Sequence, residues 1–560
     1  MGKIIKFTVL KKKIIIWFMI LFLFLLLFLL IFKYYLINQK KINNKISLEI
    51  EIDYSNLGFF RSINNTISYL ENMYPLTYHK AINWDNIRTK VNIVLGNNYK
   101  KNFISAFLTL ISLIPDGNVS FFTEKKFSKN FKKEREKFIL GSYGFSIREN
   151  NNNHIIVTYV FPNSAAERLG IKVGQIVERY NGKPISYYLL MDNMPEIYKW
   201  GITLNNYLGI PFINPTNIES KRLETLNYLT RNGINKMGNW VINGKEFDLL
   251  TFNDNYECLF ANKNQINLNE NDLITLKFIE NKIAYLKITE VRDYYKNGIL
   301  IHWKKKLDEY FDIINKISTG LIIDLRCNIG GINNFGKYFA EQIINEKKGT
   351  YTILDNNIVY GFQKYSNNFL ESHTAHMYGL DKFIKKSQTQ SIIDFSYKLP
   401  NKLREKLGPS FIYPKNTYSG PLVCLINNDC MGCGEELAKA CDNAYNSKII
   451  GMNRTNGSNS INGGKILLGK QENLEVNLLF PIGVRVDAYD DIIIDTDFRN
   501  NGGVLPNNKI PATNKNLIEF SKNSVNKFRL AKRKKLNYFR TYDIELEYAK
   551  KYIKNIVNDL

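Results

Sequence analysis

Residues 320–331 read Gly-Leu-Ile-Ile-Asp-Leu-Arg-Cys-Asn-Ile-Gly-Gly, and residues 421–435 read Pro-Leu-Val-Cys-Leu-Ile-Asn-Asn-Asp-Cys-Met-Gly-Cys-Gly-Glu. Each opens as an almost unbroken apolar run of strand length, the pattern of a strand covered on both faces. Each run ends in a glycine-rich turn and leads into a helical pattern, from about Phe335 in the first case and to about Ala444 in the second. Strand and helix in alternation define an α/β unit, and open α/β sheets place their sites at the C-terminal ends of the strands. Upstream, two runs within 273–288 read as strands joined by Glu280-Asn281-Lys282, and a helix is expected over 303–318. The α/β unit is therefore assigned to residues 266–512. Residues 513–560 form a helical tail whose apolar spacing over 543–553 predicts packing on that unit.

Two further modules precede it. Residues 44–136 carry helical apolar spacing at Trp84, Ile87, Val91, Phe103, Phe107 and Leu110 before the break at Pro115-Asp116-Gly117. Residues 141–262 hold a β-rich module and a connecting segment. Alternating runs at 141–147 and 154–160 flank an Asn turn, and a short helix, a strand and the Asn181-Gly182 turn follow.

A chain of 560 residues is long enough for three or four domains. With 44% hydrophobic and 13% aromatic residues it is neither fibrous nor disordered. The net charge of +24 is spread along the whole length, so it describes a diffuse field and no nucleic-acid partner is expected. The basic run Lys532-Arg533-Lys534-Lys535 reads as a solvated helix face.

Residues 14–32 are nineteen apolar residues without a charge, enough for a helix to cross a bilayer core. They run into Lys33-Tyr34-Tyr35 with no small-residue cleavage pattern, so residues 1–40 read as a cytoplasmic tail and an uncleaved signal anchor. Five lysines precede this span, and the positive-inside bias puts the N-terminus in the cytoplasm. The expectation is a single-pass protein of the cell membrane with its body outside the cytoplasm.

Of six cysteines, Cys327, Cys424, Cys430, Cys433 and Cys441 fall in or beside the two glycine-rich segments. Cys430-Met-Gly-Cys433 has the spacing of a redox pair at a helix start, and with Cys327 a three-thiolate metal site is conceivable. Without a further ligand pair no metal and no cofactor is expected. His373-Thr-Ala-His376 has metal-ligand spacing but lies in a polar connection and reads as a surface loop.

The stretches Tyr143-Gly144-Phe145, 162–170 and 173–182 resemble a PDZ domain. That likeness implies that the Tyr143-Gly144-Phe145 loop offers backbone N–H groups to a peptide's terminal carboxylate, with a strand edge taking the peptide as an added strand. In order along the chain come Ile-Pro-Asp-Gly-Asn-Val at 114–119, the PDZ loop, Ile-Ala-Tyr-Leu-Lys-Ile at 283–288 and the 324–331 turn. The 420–427 strand, Cys433-Gly-Glu-Glu-Leu-Ala438, Ile449-Ile-Gly451 and Gly502-Gly-Val-Leu-Pro506 follow. Together they resemble the tail-specific, or C-terminal-processing, serine peptidase family with its tricorn-like core, over most of residues 80 to 510. The resemblance implies a multidomain α+β protein: a transmembrane helix, a small helical domain, a PDZ-like module and an α/β core of the ClpP/crotonase-like type. It also implies peptide-bond hydrolysis on the C-terminal or unfolded tails of proteins.

Peptide hydrolysis needs a nucleophile, a base and N–H donors for the oxyanion. By resemblance, Gly330 and Gly331 supply the oxyanion hole. The family's nucleophilic serine stands three residues before an acidic residue at the helix start. Counting from Glu435 this position is Gly432, and counting from Glu436 it is Cys433. Lysine-type relatives carry their base in a Gly-Lys-Gly turn where this chain has Gly457-Ser458-Asn459. Histidine-type relatives carry it in an Asp-Gly-His motif where this chain has Asp116-Gly117-Asn118. Asn118 cannot accept a proton at neutral pH. Two readings follow: a peptidase using Cys433 as nucleophile with no assigned base, or a degenerate peptide binder that lost its chemistry at Asn118, Gly432 and Ser458. A small buried residue is the commoner account of such a cysteine, and it stays open for Cys433 beside the nucleophile and the redox or metal role. Asp324 and Arg326 either shape the site or form a structural ion pair.

Overall fold

The computed structural model describes residues 47–50, 56–123, 125–190, 215–263, 272–296, 299–331, 335–343, 362–365, 393–394, 417–444, 447–468, 476–486, 492, 494–532 and 542–559. Residues 14–32, His373, His376 and the basic residues after Lys532 lie outside the described residues, and with them the expected anchor, metal-spaced pair and most of the basic run. Among the described residues no helix is long and apolar enough to cross a membrane.

The N-terminal part consists of strand β1 (Ser47–Ile50), helices α1 (Asn56–Met73), α2 (Trp84–Leu95) and α3 (Tyr99–Leu113), strand β2 (Ser120–Thr123) and helix α4 (Lys125–Ile139). Asn83 and Asn98 cap α2 and α3 by accepting backbone N–H bonds from Asn86 and Lys101, which supplies partners for otherwise orphaned helix-start donors. In α2 the buried residues Trp84, Ile87, Val91 and Leu95 recur at three- and four-residue intervals, so one stripe of the helix faces inward.

The PDZ-like module comprises β3 (Gly141–Ser142), β4 (Phe145–Glu149), β5 (Ile155–Val160), α5 (Ala165–Arg168), β6 (Val177–Tyr180), β7 (Lys183–Pro184) and α6 (Ile185–Tyr188). It continues with α7 (Ile218–Leu229), β8 (Arg231–Asn232), β9 (Met237–Ile242), β10 (Lys245–Leu250) and α8 (Glu257–Phe260). β9 pairs with β6 and β10, so part of the segment read as a connection returns into the module's own sheet. Trp240 of β9 is fully buried against Tyr143, Phe145 and Tyr180, with ring centroids 4.4–5.4 Å apart.

The core sheet contains β11 (Ile274–Ile279), β12 (Ile283–Ile288), β15 (Gly320–Asp324), β18 (Leu422–Leu425), β19 (Ser447–Gly451) and β22 (Asn508–Lys509), hydrogen-bonded in that order. Between these come the hairpin β13 (Tyr294–Lys296) and β14 (Ile299–Ile301), and helices α9 (Trp303–Ile317), α10 (Phe335–Ile343) and α11 (Cys433–Asn443). β11 is antiparallel to β12 and every other pairing in the sheet is parallel. All five residues of β15 and all four of β18 are buried. One face packs with Phe311 of α9, Phe339 of α10 and Leu437 of α11. The other packs with Phe520 of α12 (Asn514–Lys532) and Ile553 of α13 (Ile544–Asp559), as the helical spacing near the C-terminus predicts. Cover on both faces is why these strands read as continuous apolar runs.

A second sheet joins the first part of the chain to the last. Strands β16 (Phe362–Tyr365), β17 (Ile393–Asp394), β20 (Ile461–Leu468) and β21 (Val476–Val486) lie in the order β1-β20-β21-β16-β17, with β2 also on β21. The helices α1 to α3 bury their apolar faces against Ile466, Leu468, Val476, Leu478, Phe480 and Val484 of β20 and β21. The N-terminal helices thus share one core with the C-terminal half of the chain. β2, on residues grouped with the helices at sequence level, is a strand because β21 offers it a partner edge.

At the C-terminal end of β15, Arg326 is 1% exposed and carries three carboxylates. Its guanidinium donates from Nε and Nη2 to Asp324, at 2.9 and 2.7 Å, and from Nη1 to Asp543 at 2.9 Å and Glu545 at 2.8 Å. Tyr285 Oη donates to Asp324 at 2.5 Å, and Lys527 Nζ donates to Asp543 at 2.7 Å. Arg326 and the coulombic pull of Lys527 hold the Asp543 carboxyl well below the usual carboxylate range despite burial. Asp324 and Arg326 are therefore members of a structural ion network that ties β15 to α13. Removing one partner of such a network leaves buried charges uncompensated, at a cost of about 3–5 kcal/mol. Arg326→Ala should lower the stability of the core by that order in urea unfolding followed by far-UV circular dichroism.

Candidate functional site

The two glycine-rich turns at the ends of β15 and β18 face each other. Cys327 N–H donates to Asn427 Oδ1 at 2.9 Å, Met431 N–H donates to the Asn328 carbonyl at 2.9 Å, and Asn328 Nδ2 donates to the Ile288 carbonyl at 2.9 Å. Gly434, in the first turn of α11, admits this packing, since a Cβ there would stand 2.6 Å from Asn328 Oδ1. Cys327 has φ 62°, the left-handed region that favours glycine and that other residues rarely adopt.

Gly432 is the N-cap of α11, with φ 57° and ψ −131°. A Cβ built on it would lie 3.4 Å from the Gly330 Cα, so a side chain here would point at the opposite turn. This is a strand-to-helix turn in a conformation that glycine adopts freely and other residues rarely do, and such turns are the setting in which hydrolases expose a nucleophile. The residue at this place has no side chain to offer.

The other two expected positions converge on the same spot. Gly432 N–H donates to the Ser458 carbonyl at 2.8 Å, and Asn118 Nδ2 donates to the same oxygen at 3.1 Å. Asn118 Nδ2 also reaches Ser460 Oγ at 3.0 Å. Ser458 Oγ accepts from the Gly117 N–H at 2.8 Å and from Asn456 Nδ2 at 3.3 Å. Asp116 anchors the 116–118 turn by accepting the Asn118 N–H at 2.8 Å and the Tyr74 hydroxyl at 2.6 Å. Residues 118, 432 and 458 thus meet at one carbonyl oxygen. The group each contributes there is an amide donor, a backbone N–H and a carbonyl, none of which takes a proton from a nucleophile.

Cys433, one residue on, is 5% exposed and packs with Leu437, Cys430 and Cys441 in the apolar cluster under the sheet. All six cysteines are buried free thiols. Burial pushes the Cys430 thiol well above its ordinary value and the Cys327 thiol up to about 12. Cys327 Sγ lies 3.9 Å from Asp429 Oδ2. Among the described residues no group of three or more His, Cys, Asp and Glu side chains is arranged to hold a metal ion.

Of the two glycines expected to supply oxyanion donors, Gly330 commits its N–H to Asn328 Oδ1 at 2.8 Å. Gly331 is exposed, with φ 149°. In the PDZ-like loop, Tyr143 and Phe145 are fully buried. Tyr143 N–H donates to the Thr230 carbonyl at 3.1 Å and Gly144 N–H donates to Ser142 Oγ at 3.0 Å. The outward edge of β4 is engaged as well, because Ile147 O accepts from Asn262 Nδ2 at 3.2 Å.

Glu435 has a larger part than its place in the first turn of α11 implies. Its carboxylate accepts from Thr455 Oγ1 at 2.6 Å, the Gly457 N–H at 2.6 Å and the Ser458 N–H at 2.8 Å. Thr216 and Asn217 close the same turn from the other side. Asn217 Nδ2 donates to the carbonyls of Thr455 at 2.6 Å and Asn456 at 2.9 Å, and Thr216 Oγ1 donates to that of Asn456. No motif pointed to residues 216 and 217. Their role exists only because the chain leaving the PDZ-like module crosses the 455–458 turn.

Full burial of Glu435 raises its carboxyl to about 8, against the lowering effect of the three donors. A carboxyl whose folded value lies above its unfolded one contributes stability that is complete below about pH 4.5 and lost as pH rises through about 8. Glu435→Gln should therefore flatten the fall in melting temperature between about pH 5 and pH 9, as read from melts of wild type and variant across that range.

Residues 282–479 match peptidase family S41, and residues 132–199 match the PDZ domain. No curated protein sequence is similar enough to match. Among solved structures, a crystal structure of a CPAF mutant is 12% identical with a TM-score of 0.50, over 85% of this chain and 97% of that one. The photosystem II D1 C-terminal processing protease is 12% identical with a TM-score of 0.30, over 81% of this chain and 93% of its own. The tricorn protease is 14% identical with a TM-score of 0.33, over 89% of this chain and 36% of its own. At such identities the likeness to CPAF speaks for the fold alone. The family matches, the order of motifs and the paired turns agree in likening residues 282–479 to peptidase family S41 and residues 132–199 to the PDZ domain.

Proposed function

We propose that this protein is a membrane-anchored member of peptidase family S41 that binds the C-terminal or unfolded tails of proteins outside the cytoplasm and has lost serine-type peptide-bond hydrolysis. One observation carries the loss. Asn118, Gly432 and Ser458 meet at the Ser458 carbonyl, so the geometry that would join a base to a nucleophile is kept while the reacting groups are replaced. The apolar span at 14–32 supports the anchor, and the lysines before it support a cytoplasmic N-terminus. The PDZ domain and the retained paired turns support a polypeptide ligand.

A second reading, hydrolysis through Cys433, is favoured by one feature. Cys433 is the first residue of α11, and its backbone nitrogen lies 3.5 Å from where a Cβ of Gly330 would stand. A helix start lowers a thiol's pKa and makes the thiolate more available. Burial in the apolar cluster works against this, by excluding both solvent and substrate.

The two readings separate in one assay. In mass-spectrometric analysis of a peptide library with apolar C-termini, in reducing buffer, neither the wild-type chain nor Cys433→Ala should release fragments, and both should bind peptide equally. Cleavage by wild type that disappears in Cys433→Ala would overturn the binder in favour of a cysteine peptidase.

A further inference from the structure

The four-stranded sheet of the PDZ-like module, β10-β9-β6-β7, has two outer edges. At one of them β7 is two residues long and contains Pro184. At the other, β10 runs from Lys245 to Leu250, and Glu246, Asp248 and Leu250 are exposed. The direction of its backbone groups follows from the turn before it. Asn243 and Gly244 join β9 to β10 with φ 48° and 71°, a two-residue hairpin that makes Ile242 and Lys245 a hydrogen-bonded pair. Such pairs alternate along an antiparallel ladder, and the same parity holds at the far end, where the Thr251 N–H donates to the Lys236 carbonyl at 3.0 Å. The odd-numbered residues of β10 therefore bond to β9, and the N–H and C=O groups of Glu246, Asp248 and Leu250 point out of the sheet's edge.

The next residue of that parity shows what the edge accepts. Phe252 and Ser142 form an antiparallel bridge and exchange both backbone bonds, from the Ser142 N–H at 2.8 Å and from the Phe252 N–H at 3.0 Å. The bridge stops after one pair because the chain bends away at Gly144, where φ is 91°. Among the described residues no hydrogen bond reaches the three outward N–H groups that come before it, at 250, 248 and 246. An unpaired edge of this kind is a template for another extended chain.

We propose that the open edge of β10 takes a polypeptide tail as an added antiparallel strand, in the register that Ser142 begins, and selects an apolar residue followed by two basic residues at alternate positions. The inference rests on the peptide-binding reading above and moves strand addition to a different edge from the loop at Tyr143 and Gly144, whose N–H groups are spent on Thr230 and Ser142. In such binding the backbone supplies affinity and alternate side chains supply choice. Along an antiparallel strand the partners of Leu250, Asp248 and Glu246 follow one another two residues apart. Leu250 is 51% exposed beside its cross-strand neighbour Met237, 59% exposed, so the first partner meets an apolar spot. The next two meet carboxylates on the same face, where opposite charges across a strand pair attract. The same carboxylates disfavour a second copy of the chain as the occupant. Self-pairing about Asp248 sets that residue against itself, and self-pairing about Phe247 sets Glu246 against Asp248, so either register opposes like charges.

The test uses the full-length chain in detergent micelles and fluorescence anisotropy with peptides blocked at both ends. One carries the pattern Leu-Thr-Lys-Thr-Lys, and a second has Glu in place of both lysines. A third is N-methylated at the leucine and the lysines, whose amides would face β10, and a fourth at the threonines, whose amides would face away. The lysine peptide should bind about tenfold tighter than the glutamate peptide and than the third, and no tighter than the fourth. Glu246→Pro removes one outward N–H and leaves the bonds to β9 in place, so it should melt as wild type does and weaken the lysine peptide about tenfold. Glu246→Lys combined with Asp248→Lys should turn the preference toward the glutamate peptide. Equal binding of the lysine and glutamate peptides by wild type, or binding unchanged by Glu246→Pro and by methylation facing β10, would overturn this edge and leave the peptide-binding reading standing. So would failure of all four peptides while the library with apolar C-termini still binds. A dimer in analytical ultracentrifugation that Glu246→Pro abolishes would overturn the occupant in favour of a second copy. Absence of binding by both the four peptides and the library would overturn the peptide-binding reading together with the edge.

Discussion

The guanidinium of Arg326 neutralises carboxylates from two distant parts of the chain, and the position of everything at the sheet's C-terminal end follows from it. Asp324 ends β15, Asp543 and Glu545 begin α13, and the three charges would repel one another in a buried space without the cation between them. Glu545 in turn accepts the Met452 N–H at 3.3 Å, at the end of β19. One side chain therefore fixes where two strands stop, and the turns that leave strands β15 and β19 begin at set places. The arrangement is one of specificity more than of strength, since a buried ion network returns little net stability over a well-packed apolar one.

On that base, under the degenerate reading proposed above, the chain keeps the supports of a catalytic centre with its reacting groups replaced. The stitching between the 326–331 and 427–432 turns, the positive φ at Gly432 and the carboxylate of Glu435 under the 455–458 turn are what a preorganised site requires. The Asn118 amide makes three hydrogen bonds to Ser458 and Ser460. Selection on packing alone would retain such a framework, and so would selection for polypeptide binding.

Much of this was legible in the sequence where the signal is local. The apolar runs at 320–325 and 421–426, the glycine turns after them and the helices from Phe335 and Cys433 appear in the structure within a residue or two, because burial on both faces leaves a direct mark on composition. Counting back from Glu435 led to Gly432, and the structure brings that residue to Asn118 and Ser458 as the motif spacing implies. What stayed hidden depends on contacts between distant segments. Nothing near Lys80 announces Thr496, 416 residues away, and nothing near Thr216 announces Asn456. Glu435 read as a favourable charge at a helix start, since its three donors come from residues twenty and more positions later. The buried PDZ-like loop was hidden for the same reason: Tyr143 and Phe145 look available until Trp240 of β9 is placed between them.

The shared core of the N-terminal helices with β20 and β21 has a consequence for how the chain is made. Helices α1 to α3 are made early, yet the apolar surface that completes their packing, at residues 466 to 484, is made only after the PDZ-like module and most of the core sheet. Loop closure over such a separation is slow, and chains of this size fold through intermediates with unpaired surface. These early helices therefore wait for most of synthesis for the surface that buries them. Until residues 466 to 484 are made, these helices leave apolar faces uncovered, as do the unfolded tails this chain is proposed to bind.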